Sequence, residues 1–332
     1  MRRTVGVIVT LVCGLGVAVA VRAQGPTPAW AYPVTPATFK APPDPGTQRR
    51  VPGSKLGFTQ TQIDDPFTPP DWYTDHPRMP EVVARGRKPD VWACAMCHLP
   101  NGLGHPESAY LAGLQAAYLQ QQVEDFKSGA RKSGAVAGGR PGIMTTIAKA
   151  ITPNELKQAS AYFASLKPKP WVKVVEATMV PKTFVGSGNM RFALEKSPME
   201  PLGQRIIELP QDPERAKSRD SHSGFIAYVP VGSLKKGADL VKTGGQRIVG
   251  GKVVMGNTVA CATCHGMDMR GGVLPGVPGI GGRSAIYTYR QLNDFKNGVR
   301  KGLQSTLMQP TVMNLTPADM ISISAYTAAQ IP

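Results

Sequence analysis

Apolar residues three or four positions apart predict amphipathic helices in this chain. Leu156, Ala159, Phe163 and Leu166 fall on one face of a helix that begins at the sequence Thr152-Pro-Asn-Glu. Threonine is a favourable N-cap and proline suits the first helical position, while a glutamate placed three residues after the cap can accept a hydrogen bond from the backbone N–H of the cap. The pattern therefore predicts a helix with one buried face directly after residue 152.

Two parts of the chain are copies of each other. Segment 118–126 (YLQQQVEDF) matches segment 287–295 (YTYRQLNDF), with Tyr, Gln, Asp and Phe in register. Both segments continue into Phe-Lys-x-Gly-x-Arg-Lys. An internal repeat of this kind indicates two similar domains.

The repeated segments predict two further helices, over 118–128 and 287–297. Each is followed by a glycine, Gly129 or Gly298, which suits the left-handed position after a helix end. The helix start at residue 152 is also repeated, because Thr316 is followed by Pro-Ala-Asp.

Short runs of β-branched residues between the copies predict strands, at 172–175, 204–209 and 224–231. Before the first copy, prolines are frequent and periodicity is weak, which predicts an extended arm whose aromatic residues pack on a neighbouring core. We therefore expect a mainly α fold of two tandem helical domains, an irregular connection with some β structure and a Pro-rich arm. The expected divisions are a signal peptide 1–23, the arm 24–78, a first domain 79–167, an inter-domain segment 168–234 and a second domain 235–332.

Residues 1–23 have the composition of a secretory signal peptide. Two arginines precede a long apolar run, 5–21, and Val-Arg-Ala supplies a small residue at the cleavage position. A transmembrane anchor is the alternative, since the apolar run is nearly long enough to span a bilayer. Cleavage would remove Cys13, and we expect the mature protein in the periplasm.

The remaining cysteines form two motifs, Cys94-Ala-Met-Cys97-His98 and Cys261-Ala-Thr-Cys264-His. Cys-x-x-Cys-His is the attachment sequence of covalent haem, because two thiols on one turn can form thioethers and the next histidine can reach the iron. A zinc site would gather its ligands closer in sequence, and a redox-active pair would prefer a thioredoxin-like context. Two local disulfides would leave both histidines unexplained. We therefore expect two covalently attached c-type haems, with His98 and His265 as iron ligands.

Two of the 13 methionines occupy equivalent positions in the repeats. Met144 and Met308 each lie seven residues before the apolar residue of the Ile/Leu-Thr-Pro helix start. A thioether is a common sixth ligand in haem proteins that carry electrons, whereas core packing is the ordinary role of methionine. We expect these two residues to be axial ligands. His105, seven residues after the first motif histidine, is expected to be a solvated or hydrogen-bonded loop residue.

Each copy resembles a class I cytochrome c domain, and the pair resembles the periplasmic dihaem cytochromes c of bacteria. The resemblance covers a little over half of the mature chain and implies that a proline-loop carbonyl accepts a hydrogen bond from the haem-ligating histidine. Pro278 fits that role in the second copy. The first copy has Ala-Tyr-Leu-Ala-Gly at 109–113 instead, so another carbonyl is expected there.

These features predict a carrier of single electrons between a dehydrogenase and a terminal oxidase or reductase. The formal net charge is +16, or +13 with 35 basic and 22 acidic residues once residues 1–23 are removed, which favours redox partners with acidic docking faces. Nucleic acid is not an expected partner, because the chain is exported and has no nucleic-acid-binding motif. Two alternatives remain: a dihaem oxidoreductase acting on a sulfur compound or peroxide at one haem, and a subunit of a larger dehydrogenase or membrane-bound complex.

Overall fold

The computed structural model describes residues 27–134, 140–196, 198–272 and 274–332. The expected signal peptide and Cys13 lie outside these residues. Within the described ranges, no helix is long and apolar enough to cross a membrane.

Helices dominate both copies of the repeat. In chain order they are α1 Gln60–Ile63, α2 Glu81–Ala84, α3 Ala95–His98, α4 Ala116–Ser128, α5 Arg140–Ala150, α6 Pro153–Ser165, α7 Pro213–Lys217, α8 Ser233–Thr243, α9 Ala262–His265, α10 Ala285–Lys296, α11 Ser305–Val312 and α12 Pro317–Ala328. A single turn of 3-10 helix covers Ser187–Asn189.

Strands occur between the copies and at the start of the second copy. They are β1 Val172–Glu176, β2 Met179–Pro181, β3 Thr183–Val185, β4 Arg191–Ala193, β5 Met199–Pro201, β6 Ile207–Pro210, β7 Phe225–Val229, β8 Arg247–Val249 and β9 Lys252–Val254. β7 is the centre of a three-stranded sheet, parallel to β1 and antiparallel to β6. The antiparallel pairs β2–β5, β3–β4 and β8–β9 complete the β structure of the described residues.

The helices predicted by capping residues form where expected. The hydroxyls of Thr152 and Thr316 each accept a hydrogen bond from a backbone N–H inside the helix, and the backbone N–H of each threonine donates to the carboxylate of Glu155 or Asp319. α4 ends at Gly129, which has the predicted positive φ of 76°. α4 and α10 both begin two residues earlier than predicted, because the repeated motif starts inside the first turn of each helix.

In the second domain, α8 crosses and packs against α12. Gly237 lies at this crossing, and a Cβ atom added there would lie 2.0 Å from the carbonyl oxygen of Ser322. The missing side chain therefore lets the two helix backbones approach each other directly. The core beside the crossing includes Leu240, Ile321 and Ala325.

The inter-domain segment packs on both domains. Phe225, on β7, is fully buried in the core of the first domain. Ala227 and Val229, on the same strand, are fully buried in the core of the second. Two of the three predicted strands, β1 and β7, form within one or two residues of the predicted bounds. The other, β6, begins later than predicted, at Ile207.

The arm is held to the domains by aromatic residues. Tyr32 is buried and donates a hydrogen bond from its hydroxyl to Asp294 Oδ1 at 2.7 Å. Trp72 is buried with Val51 and Ile63, and its indole N–H donates to a carbonyl of the inter-domain segment. The arm is thus fastened both to the second domain and to the inter-domain segment.

Candidate functional site: two matching clefts

Each Cys-x-x-Cys-His motif forms one short helical turn. In the first, Cys94 precedes α3, and the backbone N–H of His98 donates to its carbonyl at 3.0 Å. In the second, the N–H of His265 donates to the carbonyl of Cys261 at 2.9 Å. A single turn places both sulfur atoms and the imidazole close together, which is the arrangement that thioether attachment of a haem requires.

The imidazoles are oriented by backbone carbonyls. His98 Nδ1 lies 2.8 Å from the carbonyl oxygen of Ala109, and His265 Nδ1 lies 2.8 Å from that of Pro278. A carbonyl only accepts hydrogen bonds, so Nδ1 carries the proton and Nε2 keeps its lone pair for a metal. Burial lowers the pKa of His265, which also favours the neutral, ligating form. Pro278 has the role that the resemblance implied, and Ala109 supplies the carbonyl in the first copy.

Two clefts adjoin these turns. The first, with an empty volume of about 1330 Å³ including its open mouth, is lined by all four candidate residues of the first copy, Cys94, Cys97, His98 and Met144. The second, of about 1300 Å³, is lined by Cys261, Cys264, His265 and Met308. The structure therefore brings together each predicted set of site residues. Two thiols, an imidazole and a thioether in one apolar cleft suit covalent attachment of a haem and ligation of its iron.

The methionines lie on helices that the sequence patterns did not predict. Met144 is on α5, and Met308 is on α11, which contains Pro310. Thr311 supports the second methionine by donating from its hydroxyl to the Met308 carbonyl at 2.6 Å. In both copies the methionine helix precedes the capped C-terminal helix, so the equivalence seen in the sequence is also structural.

The two clefts meet at an interface with approximate two-fold symmetry. Arg131 donates to Tyr287 of the second domain at 3.0 Å, and Arg300 donates to Tyr118 of the first domain at 3.0 Å. Each arginine also donates to the glutamine of its own domain, at 2.9 Å to Gln122 and 3.0 Å to Gln291.

The backbones around these arginines are paired as well. Arg131 and Arg300 form an isolated antiparallel bridge. The N–H of Lys132 donates to the carbonyl of Val299 at 3.1 Å, and the N–H of Lys301 donates to that of Ala130 at 2.7 Å. Equivalent segments of the two copies therefore contact each other reciprocally.

Four buried arginines surround the clefts: Arg131 and Arg290 line the first, and Arg283 and Arg300 line the second. Arg290 comes from the second domain and donates to the carbonyls of Ala31 and Pro106. Among the described residues, no carboxylate forms a salt bridge with any of the four. Asp294 lines the first cleft and Asp125 the second, but neither forms a salt bridge with these arginines. A buried cation outside an ion pair is costly, so the clefts suit a ligand that carries carboxylates. The propionates of a haem meet this requirement.

Sequence reasoning did not identify these arginines, although the repeat contained an indication. The Phe-Lys-x-Gly-x-Arg-Lys segment places Arg131 and Arg300 at equivalent positions. His105, predicted to be solvated or hydrogen-bonded rather than a haem ligand, is buried, with its ring 5.7 Å from that of Phe225. The solvated alternative is excluded because the inter-domain segment packs over this loop.

Comparisons with known proteins identify the family of the chain. The cytochrome c family model matches the chain twice, at residues 83–167 and 248–328, which together make half of its length. A thiosulfate dehydrogenase electron acceptor from Thiomonas intermedia is 26% identical over 244 residues, covering 73% of this chain and 80% of the relative. Cytochrome c4 from Stutzerimonas stutzeri is 25% identical over 239 residues, covering 71% of this chain and 83% of the relative. Among solved structures, reduced recombinant cytochrome c4 from Pseudomonas stutzeri aligns with a TM-score of 0.43 and 23% identity, over 71% of this chain and 93% of that chain.

Proposed function

Because this chain belongs to the cytochrome c family and contains two copies of its domain, we propose that it is a periplasmic electron carrier. It passes single electrons between a dehydrogenase and a terminal oxidase or reductase. Two covalently attached c-type haems, at the Cys94/Cys97 and Cys261/Cys264 motifs, supply the one-electron chemistry.

The observation that carries the proposal is the lining of each cleft. His98 and Met144 lie in the first cleft on different helices, and His265 and Met308 do so in the second. As axial ligands these residues would occupy both free positions of each iron and leave none for a substrate. The soft thioether favours the ferrous state and raises the reduction potential, as is usual for carriers.

The two clefts share part of their lining. Gln122, Tyr287 and Gln291 line both clefts, so the bound groups would lie on either side of the same three side chains. This placement supports exchange of electrons between the haems inside one molecule.

A donor that oxidises a small sulfur compound is supported by one relative. The Thiomonas protein is named an electron acceptor of thiosulfate dehydrogenase. We extend this role to the present chain, with a thiosulfate dehydrogenase as the donor. The net charge of +13 that remains after removal of residues 1–23 would steer the carrier towards acidic faces of such partners, and this attraction weakens as salt rises.

A spectroelectrochemical titration of the purified protein tests the carrier function. We expect two one-electron transitions, low-spin spectra with thioether-to-iron bands from both haems, and no binding of cyanide to the resting oxidised protein. A high-spin haem that binds cyanide at once would contradict the carrier and favour an enzyme acting on a small molecule at that haem. Size-exclusion chromatography of a native periplasmic extract separates a free carrier from a complex subunit.

A further inference from the structure

The two Cys-x-x-Cys-His turns differ in how the rest of the chain covers them. In the first turn, Met96 and the following Pro100 are buried. The equivalent residues of the second turn, Thr263 and Met267, are exposed. Similar local structures are therefore presented differently to solvent.

The cover of the first turn comes from the arm and the inter-domain segment. Arg219 donates from Nη1 to the carbonyl of Met96 at 3.0 Å and from Nε to that of Ile63, in the arm, at 3.2 Å. The backbone N–H of Ala93 donates to the carbonyl of Pro66, also in the arm, at 2.9 Å. These contacts close the Met96 side of the first turn to a partner protein.

The mouth of the second cleft carries exposed apolar side chains. Val259 and Leu307 line this cleft and are nevertheless 57% and 61% exposed. Met267, on the loop after the second turn, is 67% exposed, and Leu303 is more exposed still. Within the described part of the first domain, no large apolar side chain reaches this degree of exposure. We name Val259, Met267, Leu303 and Leu307 the apolar rim.

The surroundings of the apolar rim are positively charged. Exposed basic residues occur beside the cleft, at Arg270 and Lys301, and on the β8–β9 hairpin, at Arg247 and Lys252. The hairpin also exposes apolar residues, among them Ile248 and Val253. Residues 242–310 contain only two acids, of which Asp294 is buried. An apolar centre with a basic periphery matches a partner face that has an apolar centre and an acidic periphery.

From this asymmetry we propose that the apolar rim is the docking surface for the redox partner, and that electrons enter and leave the molecule through the second haem. The partner is an electron-transfer protein whose redox group lies in an apolar patch ringed by carboxylates. On reduction, the partner's group loses one electron and the second ferric haem gains it, with no bond formed or broken. This inference rests on the proposed carrier function and assigns its entry point.

A protein fits this surface better than a lipid bilayer or a second copy of the chain. Val259 and Leu307 belong to the cleft itself, so a partner seated on them lies next to the attached haem. Binding to a membrane would require an exposed apolar surface on the protein, but that surface would not need to lie next to the cleft. A second copy would bring one basic periphery against another, which like-charge repulsion disfavours.

Reduction by a flavodoxin tests the proposal, because flavodoxin is a small acidic one-electron protein. Its hydroquinone gives one electron to the oxidised cytochrome and becomes the semiquinone. We expect the Val259→Asp/Leu307→Asp double variant to lower the second-order rate by about tenfold or more at low salt. Met267→Asp, which changes a residue outside the cleft lining, should lower it in the same direction. Val231→Asp, at an exposed site on the inter-domain segment, is the matched control and should keep the wild-type rate.

Two further measurements make the outcome decisive. Oxidised flavodoxin titrated into the ¹⁵N-labelled oxidised protein should shift the amide signals of Val259, Met267 and Leu307 and leave those of Ala93 and Met96 unchanged. Rates that fall equally in the control variant, or shifts centred on the first turn, would overturn the proposal. Binding to a membrane would give a different result. The wild-type protein would sediment with anionic phosphatidylglycerol vesicles in a salt-sensitive manner, and the double variant would not. If the double variant also kept the wild-type rate of reduction by flavodoxin, the rim would be assigned to a membrane instead.

The failure of this inference is distinguishable from the failure of the carrier function. Wild-type spectra with two low-spin haems, combined with wild-type rates in both rim variants, would refute the docking surface alone. A high-spin haem in the wild type would refute the carrier before any kinetic measurement.

Discussion

We expect Glu208 to make the stability of the second domain depend on pH. This residue, on β6, is only 3% exposed, and its carboxylate accepts hydrogen bonds from Ser284 Oγ at 2.5 Å and from the N–H of Ala285 at 2.7 Å. It therefore caps α10, the helix that lines both clefts. Desolvation by burial outweighs these hydrogen bonds and raises the pKa of Glu208 from 4.5 to about 7.

The sign of the effect follows from the direction of this shift. The folded protein holds the proton on Glu208 more tightly than the unfolded chain does. Protonation of Glu208 therefore makes its full contribution to the free energy of unfolding below the ordinary pKa of 4.5. This contribution is lost as the pH rises from there through the folded value of about 7. At about 1.4 kcal/mol per pKa unit, the loss amounts to about 3 kcal/mol.

Glu208→Gln removes the titration and retains the hydrogen bonds, because its amide oxygen can accept from Ala285 and its amide N–H can donate to Ser284. We expect wild type and variant to have similar urea midpoints at about pH 4.5, and the variant to be more stable by up to about 3 kcal/mol above about pH 7. Urea unfolding of the haem-loaded proteins, followed by far-UV circular dichroism across this range, measures the difference. Glu195→Gln, at an exposed position, is the control. Parallel pH profiles for wild type and Glu208→Gln would refute the reasoning.

Three other substitutions, one of them with a control variant, examine packing, ligation and charge. Gly237→Ala forces a Cβ to within 2.0 Å of the Ser322 carbonyl oxygen, and should lower the free energy of unfolding by about 1–3 kcal/mol. Gly142→Ala, on α5 with nothing within 4 Å, should be neutral or stabilising in the same urea assay, and equal losses would contradict the steric explanation. Met308→Ala should keep the haem attached, lower the potential of the second haem and admit cyanide, whereas unchanged spectra would show that another residue is the ligand. Arg290→Gln removes a buried positive charge from the first cleft and should lower only one of the two midpoints in a redox titration; two equal shifts would contradict a role confined to the first haem.

The sequence predicted the parts of this fold that depend on local chemistry. The helix starts at Thr152 and Thr316 follow from side chains that bond to the first turn of their own helix, and Gly129 ends α4 because its backbone tolerates a positive φ. The two haem motifs could also be predicted from the sequence, since the cysteines and the histidine act within a single turn.

The parts that sequence reasoning missed depend on contacts between distant segments. α11 contains Pro310, which argues against a helix when the sequence is considered alone. The position of Arg290 at the first cleft arises because the second domain supplies a wall of that cleft, and no periodicity contains this information. The burial of His105 likewise depends on Phe225, more than a hundred residues further along the chain.

The backbone hydrogen bonds Lys132–Val299 and Lys301–Ala130 are reciprocal, as in the interface of a homodimer, although both domains belong to one polypeptide. Such an isologous interface is self-complementary, so it would also suit two separate copies of an ancestral single domain. Covalent connection makes this pairing independent of dilution, because the second domain is always present at a high effective concentration. The spacing of the two redox centres is therefore a constant of the molecule, even where the protein is scarce.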